Sequence, residues 1–295
     1  MQAAVETEGL RKIYGPVAAL DGVSLHVDAG SVYGLVGPNG AGKTTLLGIL
    51  AGVRRATAGS VRIGVPRERI AVMPDTPQFE PWLSAYEVVD LARRLIAPEV
   101  PEREVEQALG EAGLADVAGR RVGGFSRGML QRLGLAATIV SRPSLLILDE
   151  PCSALDPVGR RDVLDLVTRL GRRGTVLFSS HILGDVQRVC DSVGVLREGR
   201  LLLEGSLDDL LADHVRPAFL VRVRPPLDPV VGALRAQPWV LAADMIGGSE
   251  LRVEVRSLEE GERSLAGALA GAGARVISFE PEAADLESVF LEMTS

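Results

Sequence analysis

A chain of 295 residues, 46% of them hydrophobic, is long enough for about two domains with packed cores. Its net charge of −7, with arginine pairs scattered and no Lys/Arg stripe, argues against a nucleic-acid-binding role. Cys152 and Cys190 lack metal-ligand spacing and are too few for a disulfide framework, which suits a reducing compartment. No apolar run reaches the roughly 18 to 20 residues that span a bilayer, and the first ten residues, with Glu6 and Glu8, do not read as a signal peptide. If the protein works at a membrane, another polypeptide is expected to cross it.

Residues 5–14 and 20–27 alternate apolar and polar positions, as paired antiparallel strands do. Tyr14, assigned to a short adjoining loop, reads either as an ordinary half-buried tyrosine or as a platform for an adenine ring. Residues 32–36 read as a short buried strand. They lead into Gly37-Pro38-Asn39-Gly40-Ala41-Gly42-Lys43-Thr44-Thr45, which matches G-x-x-x-x-G-K-[ST], and then into a helix expected over 45–51. The glycines let the backbone curl so that successive N–H groups face phosphate oxygens. The helix N-terminus adds a favourable dipole, Lys43 an ammonium for the β- and γ-phosphates, and Thr44 a hydroxyl for Mg²⁺. Only Lys12 and Lys43 are lysines in an otherwise arginine-using chain, so a point charge was kept where a planar fork fits poorly.

Strands are expected at 59–63 and 70–73, then a proline-broken loop at 74–82. Ser84 and Glu87 have the spacing of a capping box. Helices starting there and at 102–112 make residues 84 to about 142 a mostly helical insertion. Ser126 precedes a helical pattern over 130–140, where it can cap the helix, hold an anion, or both. Leu145-Leu146-Ile147-Leu148 is an apolar strand ending in Asp149 and Glu150, at the edge where α/β sheets bind ligands. Asp149 suits Mg²⁺, directly or through water; Glu150 suits a water-polarising base. A helix is expected over 158–170 and a strand over 175–179, with His181 just past its end on the edge that carries Asp149 and Glu150. A hairpin over 193–204 turns at Glu198-Gly199. Beyond a linker at 213–217 the order βαββαβα, ending in a helix over 285–293, predicts a ferredoxin-like domain without a catalytic constellation, fit for docking, dimerisation or regulation.

Together these residues resemble the ATP-binding subunit of an ABC transporter. Tyr14 corresponds to the A-loop and residues 37–45 to Walker A. Phe125-Ser126-Arg127-Gly128-Met129 is similar to the signature motif. Residues 145–149 with Glu150 correspond to Walker B, residues 153–156 to the D-loop, and His181 to the switch histidine. The resemblance covers residues 3–212. The form F-S-R-G-M-x-Q-R-L at 125–133 and the tail at 285–291 resemble the ABC-2 type exporter branch, found in drug, lipid and polysaccharide efflux. It implies an α/β P-loop NTPase fold over residues 1–213, with a mixed-sheet core, an antiparallel β subdomain and a helical subdomain at about 84–142. An accessory domain over 217–295 would follow. It also implies ATP and Mg²⁺ as ligands, and a head-to-tail homodimer in which Ser126 and Gly128 of one copy face Walker A of the other. Glu150 would orient or deprotonate water, His181 would contact the γ-phosphate, and Thr44, Asp149 and Asp75 would serve the metal. The Asp75 loop would drive an integral-membrane ABC-2 type permease, with this chain peripheral on the cytoplasmic face and the permease selecting the substrate.

Two positions depart from the family pattern. Asp75 stands where a glutamine or glutamate is usual, with Gln78 as the alternative after realignment. Arg127 replaces the first signature glycine. The alternative function, a soluble ABC ATPase acting on ribosomes or DNA, would usually bring a second ATPase half, a long coiled coil or a basic tract. A non-hydrolysing nucleotide-binding regulator is disfavoured by Glu150.

Overall fold

The computed structural model describes residues 3–214, 217–282 and 286–287. The chain separates into two units, residues 1–209 and 210–295. The first begins with β1 (Ala3–Tyr14), β2 (Val17–Asp28), β3 (Val32–Val36), α1 (Lys43–Leu50), β4 (Ala58–Ile63) and β5 (Ile70–Met73). Then come α2 (Ala85–Ile96), α3 (Arg103–Glu111), α4 (Arg127–Ile139), β6 (Leu145–Leu148), α5 (Pro157–Gly171) and β7 (Thr175–Ser180). It closes with α6 (Leu183–Val189), β8 (Ser192–Arg197), β9 (Arg200–Ser206) and the start of α7 (Leu207–His214).

β2-β1-β4 form an antiparallel sheet, and β5-β6-β7-β3-β8-β9 form a mixed sheet in which only β9 runs antiparallel to its neighbour. Every residue of β3, β6 and β7 is buried. Such runs lack polar alternation because both faces of a parallel strand are covered. One core joins the two sheets to α1 through Val5, Leu25, Leu35, Leu46, Ile147 and Leu177; each such aliphatic contributes about 1.5–3 kcal/mol of burial.

The helical insertion begins as its sequence predicts. The Glu87 N–H donates to Ser84 Oγ at 3.2 Å, and the Ser84 N–H donates to Glu87 Oε2 at 2.7 Å. That backbone N–H, with the serine hydroxyl, holds the Glu87 carboxyl below its ordinary range. In the β8–β9 hairpin, Glu198 (φ 49°) and Gly199 (φ 77°) are both left-handed, the turn whose twist matches the flanking strands. Three local expectations are corrected. Tyr14 ends β1 itself and pairs with Val17 across the turn, rather than sitting in a separate loop. α1 starts at Lys43, because Gly42 already serves as its N-cap. α7 continues to His214, into the stretch expected as linker.

The second unit contains β10 (Ala218–Arg224), α8 (Asp228–Arg235), β11 (Val240–Gly247), β12 (Glu250–Val255), α9 (Leu258–Gly271) and β13 (Arg275–Pro281). Its sheet order is β11-β12-β10-β13, with every neighbouring pair antiparallel. Phe219, Val221, Leu251 and Val253 pack with Leu234 of α8 and Leu265 and Leu269 of α9. The helix expected over 285–293 lies outside the described residues, apart from Leu286 and Glu287.

Gly34 decides how closely α6 approaches β3: a Cβ there would collide with Val186 Cγ1 and lie 2.8 Å from Cys190 Sγ. Gly34→Ala is expected to lower stability by about 1–3 kcal/mol, the usual cost of overpacking. Urea unfolding of the two proteins measures this; equal midpoints would show that the contact yields freely.

Candidate functional site

Three neighbouring strands of the mixed sheet deliver the predicted residues to one edge. β3 ends in the glycine-rich loop, β6 ends before Asp149 and Glu150, and β7 ends before His181. In parallel sheets this C-terminal edge is where ligands bind. Gly40 (φ 82°) and Gly42 (φ 109°) take left-handed conformations that other residues avoid. Gly37 and Gly42 are also constrained by space. A Cβ on Gly37 would strike the Leu196 carbonyl of β8, and one on Gly42 would lie 2.5 Å from the Ala19 carbonyl of β2.

α2, α4, α5 and α9 are capped by the side chains of Ser84, Ser126, Asp156 and Ser257, each accepting from an N–H in the first turn. α1 has no side-chain cap and no acid in its first turn. Its leading N–H groups therefore remain available to an anion. Lys43 is 6% exposed; its Nζ donates to the Gly37 carbonyl at 2.6 Å and sits 3.1 Å from Glu150 Oε1. The loop thus surrounds a buried ammonium whose present counter-anion is a carboxylate of the same chain.

Glu150 is the hub. It is a non-glycine residue at φ 48°, a conformation that costs on the order of 1–3 kcal/mol. Three contacts hold it there. Its N–H donates to Ser179 Oγ at 2.9 Å, its carbonyl accepts from Gln131 Nε2 at 3.0 Å, and its Oε2 lies 2.8 Å from His181 Nδ1. The imidazole form with a proton on Nδ1 donates to that oxygen. Oε1 is buried without a directed hydrogen bond, so its contact with Lys43 is an ion pair alone. Ser179 Oγ also donates to Asp149 Oδ1 at 2.6 Å, which fixes the buried Asp149 beside it.

Glu150 and His181 line a cleft of about 240 Å³ with Asn39, Asp75, Arg127, Gln131 and Ser153. Asp75 Oδ1 accepts from Ser153 Oγ at 3.2 Å. Gln78 lies elsewhere, in an apolar groove with Leu91 and Leu95. Ser126 caps α4 by accepting from the Met129 N–H at 3.2 Å. A Cβ on Gly128 would stand 3.3 Å from the Ala154 carbonyl, so the turn carrying Ser126 borders residues 153–156. Tyr14 remains 43% exposed on its hairpin. A larger cavity of about 380 Å³ is lined in part by α3; Glu104 pairs there with Arg142 and Glu111 with Arg173, and Arg69 Nε donates to Ser144 Oγ at 3.4 Å.

Among the described residues no cluster of three or more His, Cys, Asp or Glu side chains could by itself hold a metal ion. That composition fits Mg²⁺, which takes one or two protein oxygens and completes its shell with water and substrate phosphates. Sequence reasoning gave no role to Ser179 or Gln131. The available signals were positional: two serines close the strand before His181, and Gln131 is the glutamine of the F-S-R-G-M-x-Q-R-L form.

The ABC transporter family model matches residues 20–153. The chain is 37% identical over 294 residues to the uncharacterized ABC transporter ATP-binding protein YxlF of Bacillus subtilis (strain 168), spanning 97% of this chain and 98% of that protein. It is 36% identical over 221 residues to the bacitracin transport ATP-binding protein BcrA of Enterococcus faecalis, 71% of each. Among solved structures it is similar to an ATP-binding subunit of an ABC transporter, with a TM-score of 0.64 and 30% identity over 71% of this chain and 92% of that one.

Cys152 follows Glu150 by two residues, yet it is not poised as a nucleophile. Partial burial, reinforced by the nearby Asp185, pushes its thiol up to about 12, and full burial raises Cys190. Raised values keep both groups protonated through neutral pH. Neither thiol is expected to react with a disulfide reagent in the folded protein at mildly alkaline pH, and both should react in denaturant. Rapid labelling of the native protein would contradict the burial.

Proposed function

Since the chain belongs to the family of ABC transporter ATP-binding proteins, we propose that it is the ATP-binding and ATP-hydrolysing subunit of an ABC-2 type exporter with a separate membrane permease. The observation that carries this reading is Glu150 bridging Lys43 and His181 at the mouth of the glycine-rich loop. A buried ammonium ringed by carbonyls and uncapped helix N–H groups suits a polyphosphate. Residues 37–45 bind it, Lys43 meets the β- and γ-phosphates, and Tyr14 receives the adenine. Thr44, Asp149 and Asp75 would hold Mg²⁺, which would supply positive charge against the phosphates. Glu150, released from Lys43, accepts a proton from the attacking water. His181, already hydrogen-bonded to Glu150, contacts the γ-phosphate.

Two copies associate head to tail, with Ser126 and Gly128 of one facing residues 37–45 of the other. The exposed setting of Ser126 and the free rim of the cleft support this. No helix among the described residues is long and apolar enough to cross a membrane; in this reading a separate permease chain does the crossing and this chain is peripheral on the cytoplasmic face. An apolar groove of about 600 Å³, lined by Phe79, Leu83, Leu91, Leu95 and Ile96, follows directly on the Asp75 loop and suits a permease segment. The relative named for bacitracin transport supports a transport role. We read residues 217–295 as a ferredoxin-like accessory domain, supported among the described residues by the antiparallel order β11-β12-β10-β13 and by α8 and α9.

Lys43→Ala is expected to weaken ATP binding by about 30-fold or more, the consequence of truncating a buried charge partner; unchanged affinity in equilibrium titration would remove Lys43 from the phosphate site. Glu150→Gln should bind a non-hydrolysable ATP analogue more tightly, because a neutral amide no longer competes for Lys43. Its turnover should fall by about 100-fold or more, and the protein should accumulate as an ATP-bound dimer by size-exclusion chromatography. Normal phosphate release from that variant would exclude Glu150 as the base.

A further inference from the structure

Lys12 and Lys43 are the only lysines in the chain, and the function proposed above uses only the second. Lys12 lies in β1, two residues before Tyr14. Its Nζ donates to the Arg55 carbonyl at 2.8 Å, and the ammonium stands 4.8 Å from the centre of the Tyr14 ring, within cation–π range. Arg54 holds the other end of the same side chain, its Nη1 donating to the Tyr14 hydroxyl at 3.0 Å. The Arg54 stem rests against Gly48 of α1, where a Cβ would lie 3.0 Å from its Cδ. One ring face and the hydroxyl are therefore tied to the loop that follows α1.

The rest of the ring is open. Tyr14 is 43% exposed, and Val17, its partner across the turn, is 62% exposed; directly opposed residues project from the same face of a hairpin. The same hairpin reaches the phosphate loop, since the Ala19 carbonyl stands 2.5 Å from the place of a Cβ on Gly42. A flat apolar shelf is thus fixed in orientation and coupled to the glycine-rich loop.

We propose that Lys12 and Arg54 are positioning residues for the nucleotide base: Lys12 covers one face of Tyr14, and a purine stacks on the opposite face beside Val17. This rests on the assignment of Tyr14 as the adenine platform. A cation on one face draws electron density from the ring and improves its match to an electron-rich base on the other. A ring already held in place loses less freedom on binding.

The test compares a non-hydrolysable ATP analogue with inorganic tripolyphosphate, which has no base, on the full-length protein by equilibrium titration. Tyr14→Ala should weaken binding of the analogue about tenfold, the scale of one base–aromatic stack. Lys12→Met should weaken it about three- to fivefold, and Lys12→Arg, which keeps the charge, should restore it to within about twofold. Tripolyphosphate affinity should stay the same in all three. If Lys12→Met matches the wild type while Tyr14→Ala does not, the positioning role of Lys12 is wrong and the platform stands. If Tyr14→Ala has no effect, the platform assignment itself falls. Equal losses for the analogue and tripolyphosphate in Lys12→Met would make Lys12 a phosphate charge and overturn the proposal.

Discussion

The ion pair between Lys43 and Glu150 is the constraint around which the first unit is arranged. Both partners are largely withdrawn from water and stand 3.1 Å apart, so the attraction is far less screened than at a surface. Each would be costly to leave alone in that setting. A neutral ligand would offer Lys43 no replacement for Glu150, whereas the anion of the proposed function would. On that proposal the glycine-rich loop is a selective seat, in which the internal carboxylate gives way to a ligand that brings at least equal negative charge.

The mixed sheet makes this pairing possible. β6, β7 and β3 are adjacent in space although β3 precedes the others by a long stretch of chain. Their shared C-terminal edge brings together the loop after β3, the carboxylates after β6 and the histidine after β7. Ser179 locks two of these ends with one hydroxyl, donating to Asp149 and accepting from the Glu150 N–H. The strain at Glu150 is tolerated because its N–H, carbonyl and carboxylate are each held by a different element.

What could be read from sequence and what could not follow the same physical division. The glycine-rich loop was legible because its glycines answer to backbone geometry, and backbone geometry is local. So were the Ser84–Glu87 cap and the Glu198-Gly199 turn, each decided within four residues. β6 was legible as an uninterrupted apolar run. In the sequence Tyr14 reads both as the end of the strand over 5–14 and as part of an adjoining loop; pairing with Val17 keeps it in β1 up to the turn. α6 has seven residues, too few for an apolar period to declare itself. The contacts of Lys43, Gln131 and Ser179 with Glu150 depend on strand order, which no local pattern encodes.

Charge balance in the cleft carries the last step. Asp75 and Glu150 line the cleft that would receive the phosphates, and the buried Asp149 adjoins Glu150 in the chain, so three carboxyl groups stand at or next to it against one buried ammonium. His181 is half exposed and engaged with Glu150, and Arg127 stands at the rim. A triphosphate entering alone would replace one anion at Lys43 while being repelled by the other two. A divalent cation reverses that sign, because the same carboxylates and their waters then attract the metal–phosphate complex. The surplus of acid at and next to the cleft thus supports, within the proposed function, a metal–nucleotide complex rather than the free anion as the ligand.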